Sequence, residues 1–183
     1  GWVVMALLLA CSVLSTALIV HHYDLSSAMV SPRYGRYMDY IYEKPYCRIS
    51  PYLVGMALAF ALIYVQKHKL QRFARWMIYL VALTIMSLCF YGDYENYHHT
   101  DVEDPNRSSH WSKEQDLVYI TFSRFGWAVG VSLLAYPMIV GYGKQLAAFL
   151  GHSLWLPFAR LTYGAYLVHI ILISALFQNL KHY

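Results

Sequence analysis

Mostly apolar stretches of about 16 to 26 residues alternate along this chain with short polar ones. That pattern is neither the one-sided stripe of a surface helix nor the alternation of a half-buried strand. At ~1.5 Å per residue, about 20 residues cross a ~30 Å hydrocarbon layer, so each run reads as a membrane-spanning helix. Five are predicted: 1–20, 49–65, 76–91, 117–142 and 163–180. The second opens with Ser50-Pro51, a capping serine before a first-turn proline, which predicts a helix start there. The third, Trp76–Tyr91, is short and carries an aromatic residue at each end, the type that settles at a membrane interface. Between the last two runs, Gln145–Pro157 is broken by Gly151, His152 and Pro157 and reads as an interfacial or re-entrant segment. The expected fold class is all-α: a polytopic transmembrane helix bundle of about five spans, forming one domain over residues 1–183.

The polar stretches give the bundle a direction. Gln66–Arg75 holds Lys67, Lys69, Arg72 and Arg75 and no acid, which places it in the cytoplasm. Gly92–Asp116 carries seven acidic residues against Arg107 and Lys113. It falls on the opposite side, together with the nearly balanced His21–Arg48. The glycosylation triplet Asn106-Arg107-Ser108 lies in that acidic loop and agrees with a lumenal or extracellular face. The chain opens Gly-Trp-Val-Val, without the basic lead-in or cleavage site of a signal peptide. Its first run is therefore expected to be an internal span of a longer protein.

Composition sharpens this picture. Of 183 residues, 58% are hydrophobic and only 13% charged, against about 25% charged in an ordinary soluble domain. The net charge of +4 is accounted for by basic residues flanking the spans, so nucleic acid is not an expected partner. The lipid bilayer is.

Few residues carry chemistry. Arg124 falls within the fourth run, where a charge must face a polar interior unless the span begins near Phe125 and the side chain snorkels to the interface. Arg48 stands beside a helix start, as an anion ligand or as an interfacial anchor. His169 lies in the last run. A buried histidine there would donate to a neighbouring helix, or act as a proton carrier or substrate contact. The pairs His21-His22 and His98-His99, with Asp24, Asp93 and Asp101 nearby, raise a metal site, but adjacent histidines fix no coordination geometry and read as solvated loop residues. Gly55 with Ala59, and Gly126 with Gly130, have the small-residue spacing of close helix packing. Cys47 and Cys89 fall on the same outer side, which permits a disulfide; Cys11 stays free. There is no Ser-His-Asp set, phosphate-cradling glycine loop or zinc motif, and no metal or bound cofactor is expected.

Three stretches taken together add a family. These are Tyr42-Glu43-Lys44-Pro45-Tyr46-Cys47-Arg48-Ile49-Ser50-Pro51-Tyr52-Leu53-Val54-Gly55-Met56, then Ser123-Arg124-Phe125-Gly126-Trp127-Ala128, then Leu161-Thr162-Tyr163-Gly164-Ala165-Tyr166-Leu167-Val168-His169. In this order they resemble the C-terminal half of the nose resistant to fluoxetine proteins, a branch of the membrane acyltransferase 3 family. The resemblance covers nearly the whole chain. Two places depart mildly from the familiar pattern, Gly141-Tyr142-Gly143-Lys144 and Pro157-Phe158-Ala159-Arg160. The resemblance implies a bundle of roughly ten spans, of which this chain holds the last five. It also implies transfer of an acyl group from an acyl-CoA co-substrate to an acceptor. The family's candidate catalytic residues would lie upstream of Gly1. Arg48, Arg124 and His169 match family positions without an assigned catalytic role. The charge-based direction puts Arg48 outside while acyl-CoA is cytoplasmic, so Arg48 is expected to serve the acceptor or the fold, unless the acyl group crosses through a cavity. The rival expectation is a transporter or lipid-handling protein without acyl transfer. Either way the chain is expected in the plasma membrane or an endomembrane.

Overall fold

The computed structural model describes residues 1–27, 37–64, 71–98 and 111–180. All regular structure among them is helical: α1 (Trp2–Tyr23), a π-helical turn (Met38–Tyr42), α2 (Pro45–Tyr64), α3 (Arg72–Tyr91), α4 (Tyr94–His98), α5 (Lys113–Ile139), α6 (Lys144–Leu150) and α7 (Trp155–Leu180). They fall into two units, Gly1–Val140 and Gly141–Tyr183. Among the described residues, four stretches are long and apolar enough to cross a membrane: α1, α2, Arg72–Asn96 containing α3, and α5. The fifth predicted run, 163–180, falls inside α7, a helix of 26 residues.

The helix ends follow local chemistry, sometimes against the sequence reading. Helix α2 begins at Pro45, about a turn and a half before Ser50-Pro51. Proline is at no disadvantage in a first turn, where its missing N–H would be unpaired in any case, so Pro45 starts the helix. Pro51 is then internal, and it leaves the Cys47 carbonyl without its usual donor four residues on. Helix α5 begins at Lys113 instead of Leu117. The Ser112 hydroxyl accepts from Gln115 N–H (3.4 Å) while Gln115 Oε1 accepts from Ser112 N–H (2.9 Å), a capping box that extends the helix beyond its apolar run. Glu114 and Asp116 in that first turn suit the positive helix end. Helix α1 stops at Asp24, which takes a left-handed conformation, and Leu25 N–H then bonds the Val20 carbonyl at 3.3 Å.

In the first unit α5 is the central helix. Helices α1 and α2 pack on it and on each other, and α3 packs chiefly on it. The predicted role of Gly126 and Gly130 holds. A Cβ on Gly130 would lie 2.6 Å from Met86 Cγ, one on Gly126 would lie 3.0 Å from Cys89 Sγ, and Ala82 opposite them is completely buried. Gly55 is different. It is exposed, as is Ala59, and nothing lies within 4 Å of where its Cβ would be, so this pair does not pack helices among the described residues.

The burial pattern differs from that of a water-soluble protein: beside an apolar core cluster, polar residues are buried while large apolar ones are exposed. Ser12, Thr16, Ser50 and Thr121 are buried, while Val3, Leu18, Ile63 and Phe73 are 68–75% exposed. Thr16 donates to the Ser12 carbonyl at 2.9 Å, as a hydroxyl does when it turns back on its own helix. Lipid accepts apolar surface without penalty, whereas polar side chains are favoured inside the bundle, although the Ser12 and Thr121 hydroxyls themselves have no hydrogen-bond partner among the described residues.

In the second unit Gly141 turns the chain with φ +98°. Helix α6, at seven residues, is too short to cross a bilayer, and the last part of Gln145–Pro157 already belongs to α7. Trp155 Nε1–H donates to the Phe149 carbonyl at 2.8 Å and the two rings meet edge to face, fixing the step from α6 to α7.

Candidate functional site

Arg124 lies eleven residues into α5, ~16 Å along the helix axis from its start. Its guanidinium turns to the π-helical segment. Nη2 donates to the Tyr37 hydroxyl at 2.7 Å, and Cζ stands 5.6 Å from the Tyr37 ring centre. The other terminal nitrogen, Nη1, is buried and has no hydrogen-bond partner. A buried donor without an acceptor costs roughly 1–3 kcal/mol, so this guanidinium has bonding capacity left over at an energetic cost.

Arg48 reaches the same place from the first turn of α2. Its Nη1 donates to the Tyr42 carbonyl at 3.3 Å, and its Cζ lies 4.4 Å from the Tyr42 ring centre. Arg124 Cζ is 5.9 Å from that same ring. Two guanidiniums thus converge on one tyrosine, each held by the ring's negative face. Among the described residues, no carboxylate pairs with either one.

Both arginines line a groove of about 860 Å³ between α2, α3 and α5. Ser123 adds a hydroxyl, and Tyr52, Phe90 and Trp127 supply exposed apolar walls. Tyr119 borders it too, its hydroxyl already donating to the Cys89 carbonyl at 2.8 Å. No acidic residue is among the lining side chains. A cationic floor between aromatic walls accepts an oxyanion attached to apolar matter.

A second cluster was not foreseen. The Ser27 hydroxyl sits between Asp93 Oδ1 (2.7 Å) and Asp116 Oδ1 (2.9 Å), and Ser27 N–H donates to Asp116 Oδ1 at 3.1 Å. Asn96, completely buried, donates from Nδ2 to Ser27 Oγ (3.0 Å) and Asp93 Oδ1 (3.1 Å), and its Oδ1 accepts from Trp111 N–H (3.3 Å). Lys113 pairs with Asp24 at 3.0 Å beside it. These contacts tie the stretch after α1 to the end of α3 and the start of α5, so the loops predicted to share one side do meet at one end of the bundle. Aspartates and an asparagine in a loop are too common for the sequence to have singled them out.

Other expected residues fare differently. Within the second unit the described side chain of His169 is exposed on α7, and its Nδ1 faces the Tyr166 carbonyl one turn back. Cys47 and Cys89 are free thiols, as is Cys11, and the disulfide that topology permits is not formed. The reason is the packing around α5. Cys47 is buried with Val20, Leu25, Ile41 and Ile120, whereas Cys89 faces Gly126 in the α3–α5 contact. Asn106, Lys67, Lys69, His99 and Asp101 lie outside the described residues. Among those described, no group of three or more His, Cys, Asp or Glu is gathered to hold a metal.

No family model matches the chain, and no solved structure does. Among curated proteins it is similar to the nose resistant to fluoxetine protein 6 of Caenorhabditis elegans, with 24% identity over 142 residues. That stretch is 75% of this chain and 16% of the relative, so the chain spans a small part of the relative's length.

Proposed function

We propose that this chain is part of a multi-pass membrane protein that transfers an acyl group from an acyl-CoA to an acceptor, with the Arg48–Arg124 groove on the acceptor side. The observation that carries the reading is the groove itself. Two unneutralised guanidiniums share Tyr42 within a bundle of helices long and apolar enough to span a membrane. Charges at such a position are expensive, and they are characteristic of substrate sites. Acyl transfer as the reaction rests on the motif resemblance and on the similarity to the nematode protein. The catalytic residues would then lie in a part of the protein upstream of Gly1.

Orientation follows from the basic stretch Gln66–Arg75 facing the cytoplasm. The end bearing Arg48, Tyr37 and the Ser27–Asp93–Asn96–Asp116 cluster then faces the lumen or the exterior. A glycan on Asn106 would mark that side. Full-length protein expressed in animal cells should lose a glycosidase-sensitive mobility shift on Asn106→Gln, and an unglycosylated wild type would remove this support for the orientation.

Activity is tested with labelled acetyl-CoA and palmitoyl-CoA in membranes holding the complete protein, wild type against Arg124→Ala at matched expression. Labelled product that falls at least roughly tenfold in the variant supports the reading, since losing a charge-assisted contact in a dry site removes about 1.5–3 kcal/mol. No product from correctly inserted protein favours the rival, a transporter or lipid-handling protein. The placement of Arg48 away from the cytoplasm, where acyl-CoA resides, is the one feature that fits that rival better.

A further inference from the structure

The groove's lining is specific about its occupant. Its polar side holds Arg48, Arg124 and Ser123, with no acidic side chain among the lining residues. Arg124 keeps one buried terminal nitrogen without an acceptor. Arg48 is exposed, spends one hydrogen bond on the Tyr42 carbonyl, and has the rest of its fork of donors to offer. The remaining walls are aromatic and exposed, Phe90 at 70%, Tyr52 at 68% and Trp127 at 43%, on helices long and apolar enough to lie in lipid. A small inorganic anion would neutralise the arginines and leave those walls unmatched. A neutral lipid would cover the walls and leave two charges unpaired in a low-dielectric setting, the more costly mismatch. The geometry points to a net-anionic amphiphile: a lipid whose phosphate or carboxylate oxyanion, uncompensated by a cation in its own head group, sits between Arg48 and Arg124 and whose acyl chain lies along Phe90 and Trp127. This inference rests on the membrane placement proposed above and names the class of molecule the groove takes. It does not depend on acyl transfer.

Trp127 provides the readout. Full-length protein in detergent micelles is titrated, without any acyl-CoA, with three brominated lipids: dibromostearic acid, a dibromostearoyl phosphatidic acid and a dibromostearoyl phosphatidylcholine. The contribution of Trp127 is the quenching lost in Trp127→Phe. At least one anionic lipid should quench Trp127 saturably at a concentration roughly tenfold or more below that needed of phosphatidylcholine. Phosphatidic acid alone would identify a phosphate head, and stearic acid alone a carboxylate. Arg48→Gln, at an exposed position that should not impair folding, should weaken the effective anion about tenfold or more, and Arg48→Lys should restore part of the loss. Equal potency of phosphatidylcholine would overturn the inference, as would quenching indifferent to Arg48→Gln. The two readings fail separately. Anion-selective binding without acyl product refutes the enzyme and keeps the lipid site, while product without anion-selective quenching does the reverse.

Discussion

Arg124 and Tyr37, 87 residues apart in the chain, meet through a 2.7 Å hydrogen bond from Nη2 to the phenolic oxygen. The contact carries the charge of α5 to the π-helical segment before α2, and Tyr42 at the end of that segment shares its ring with Arg48. Tyr37→Phe keeps the ring and removes the acceptor. Because Arg124 Nη1 is already without a partner, the variant should lose roughly 1–3 kcal/mol. A lowered midpoint of thermal unfolding in detergent checks this, and an unchanged midpoint would mean that water replaces the phenol.

The contact between α3 and α5 depends on the absence of side chains. Gly130→Val would drive a β-branched group into Met86, and the Ala82 carbonyl lies 3.3 Å from the first added carbon. Overpacking of this kind costs about 1–3 kcal/mol. Gly55→Ala meets nothing within 4 Å and should stay within about 0.5 kcal/mol of wild type or gain stability. Both are read by the same unfolding measurement. A loss at Gly55 equal to that at Gly130 would show that another segment of the full protein covers that face.

Asn96 holds the end of α3 to the start of α5. Truncation to alanine removes its hydrogen bonds to Ser27, Asp93 and the Trp111 N–H at once, with an expected loss of about 2 kcal/mol or more. Amide exchange should quicken locally around residues 93–98 and 111–116. Protection unchanged there would make the cluster incidental to stability.

The cysteines make a direct chemical prediction. Cys11, Cys47 and Cys89 should all alkylate after denaturation without reductant, and mass spectrometry should find no peptide linking Cys47 to Cys89. A linked peptide would require α2 and α3 to approach each other across the face of α5 more closely than they do here.

Much of the architecture was legible in the chain. Lipid imposes a crude requirement, about 20 apolar residues per crossing, and composition alone can satisfy or fail it. The runs at 1–20, 49–65, 76–91 and 117–142 each lie largely within a long helix, and the Gly126–Gly130 spacing announced a close helix contact, without saying with which helix. Helix ends were less legible. Pro45 and the Ser112–Gln115 capping box carry helices α2 and α5 past their apolar segments, into polar sequence that hydropathy does not credit.

What the sequence determined, then, was the solvent of each segment, because hydrophobicity is a property of the residues themselves. Only the tertiary structure decided which polar residues meet. Arg48 and Arg124 converge because Tyr37 and Tyr42, at either end of the π-helical turn, lie between the first turn of α2 and a point eleven residues into α5. Ser27, Asp93, Asn96 and Asp116 meet because three chain stretches end at one level, and Cys47 and Cys89 stay apart because α5 holds them in different contacts. Those outcomes depend on helix rotation and register, and a packed bundle sets both through the joint fit of all its side chains.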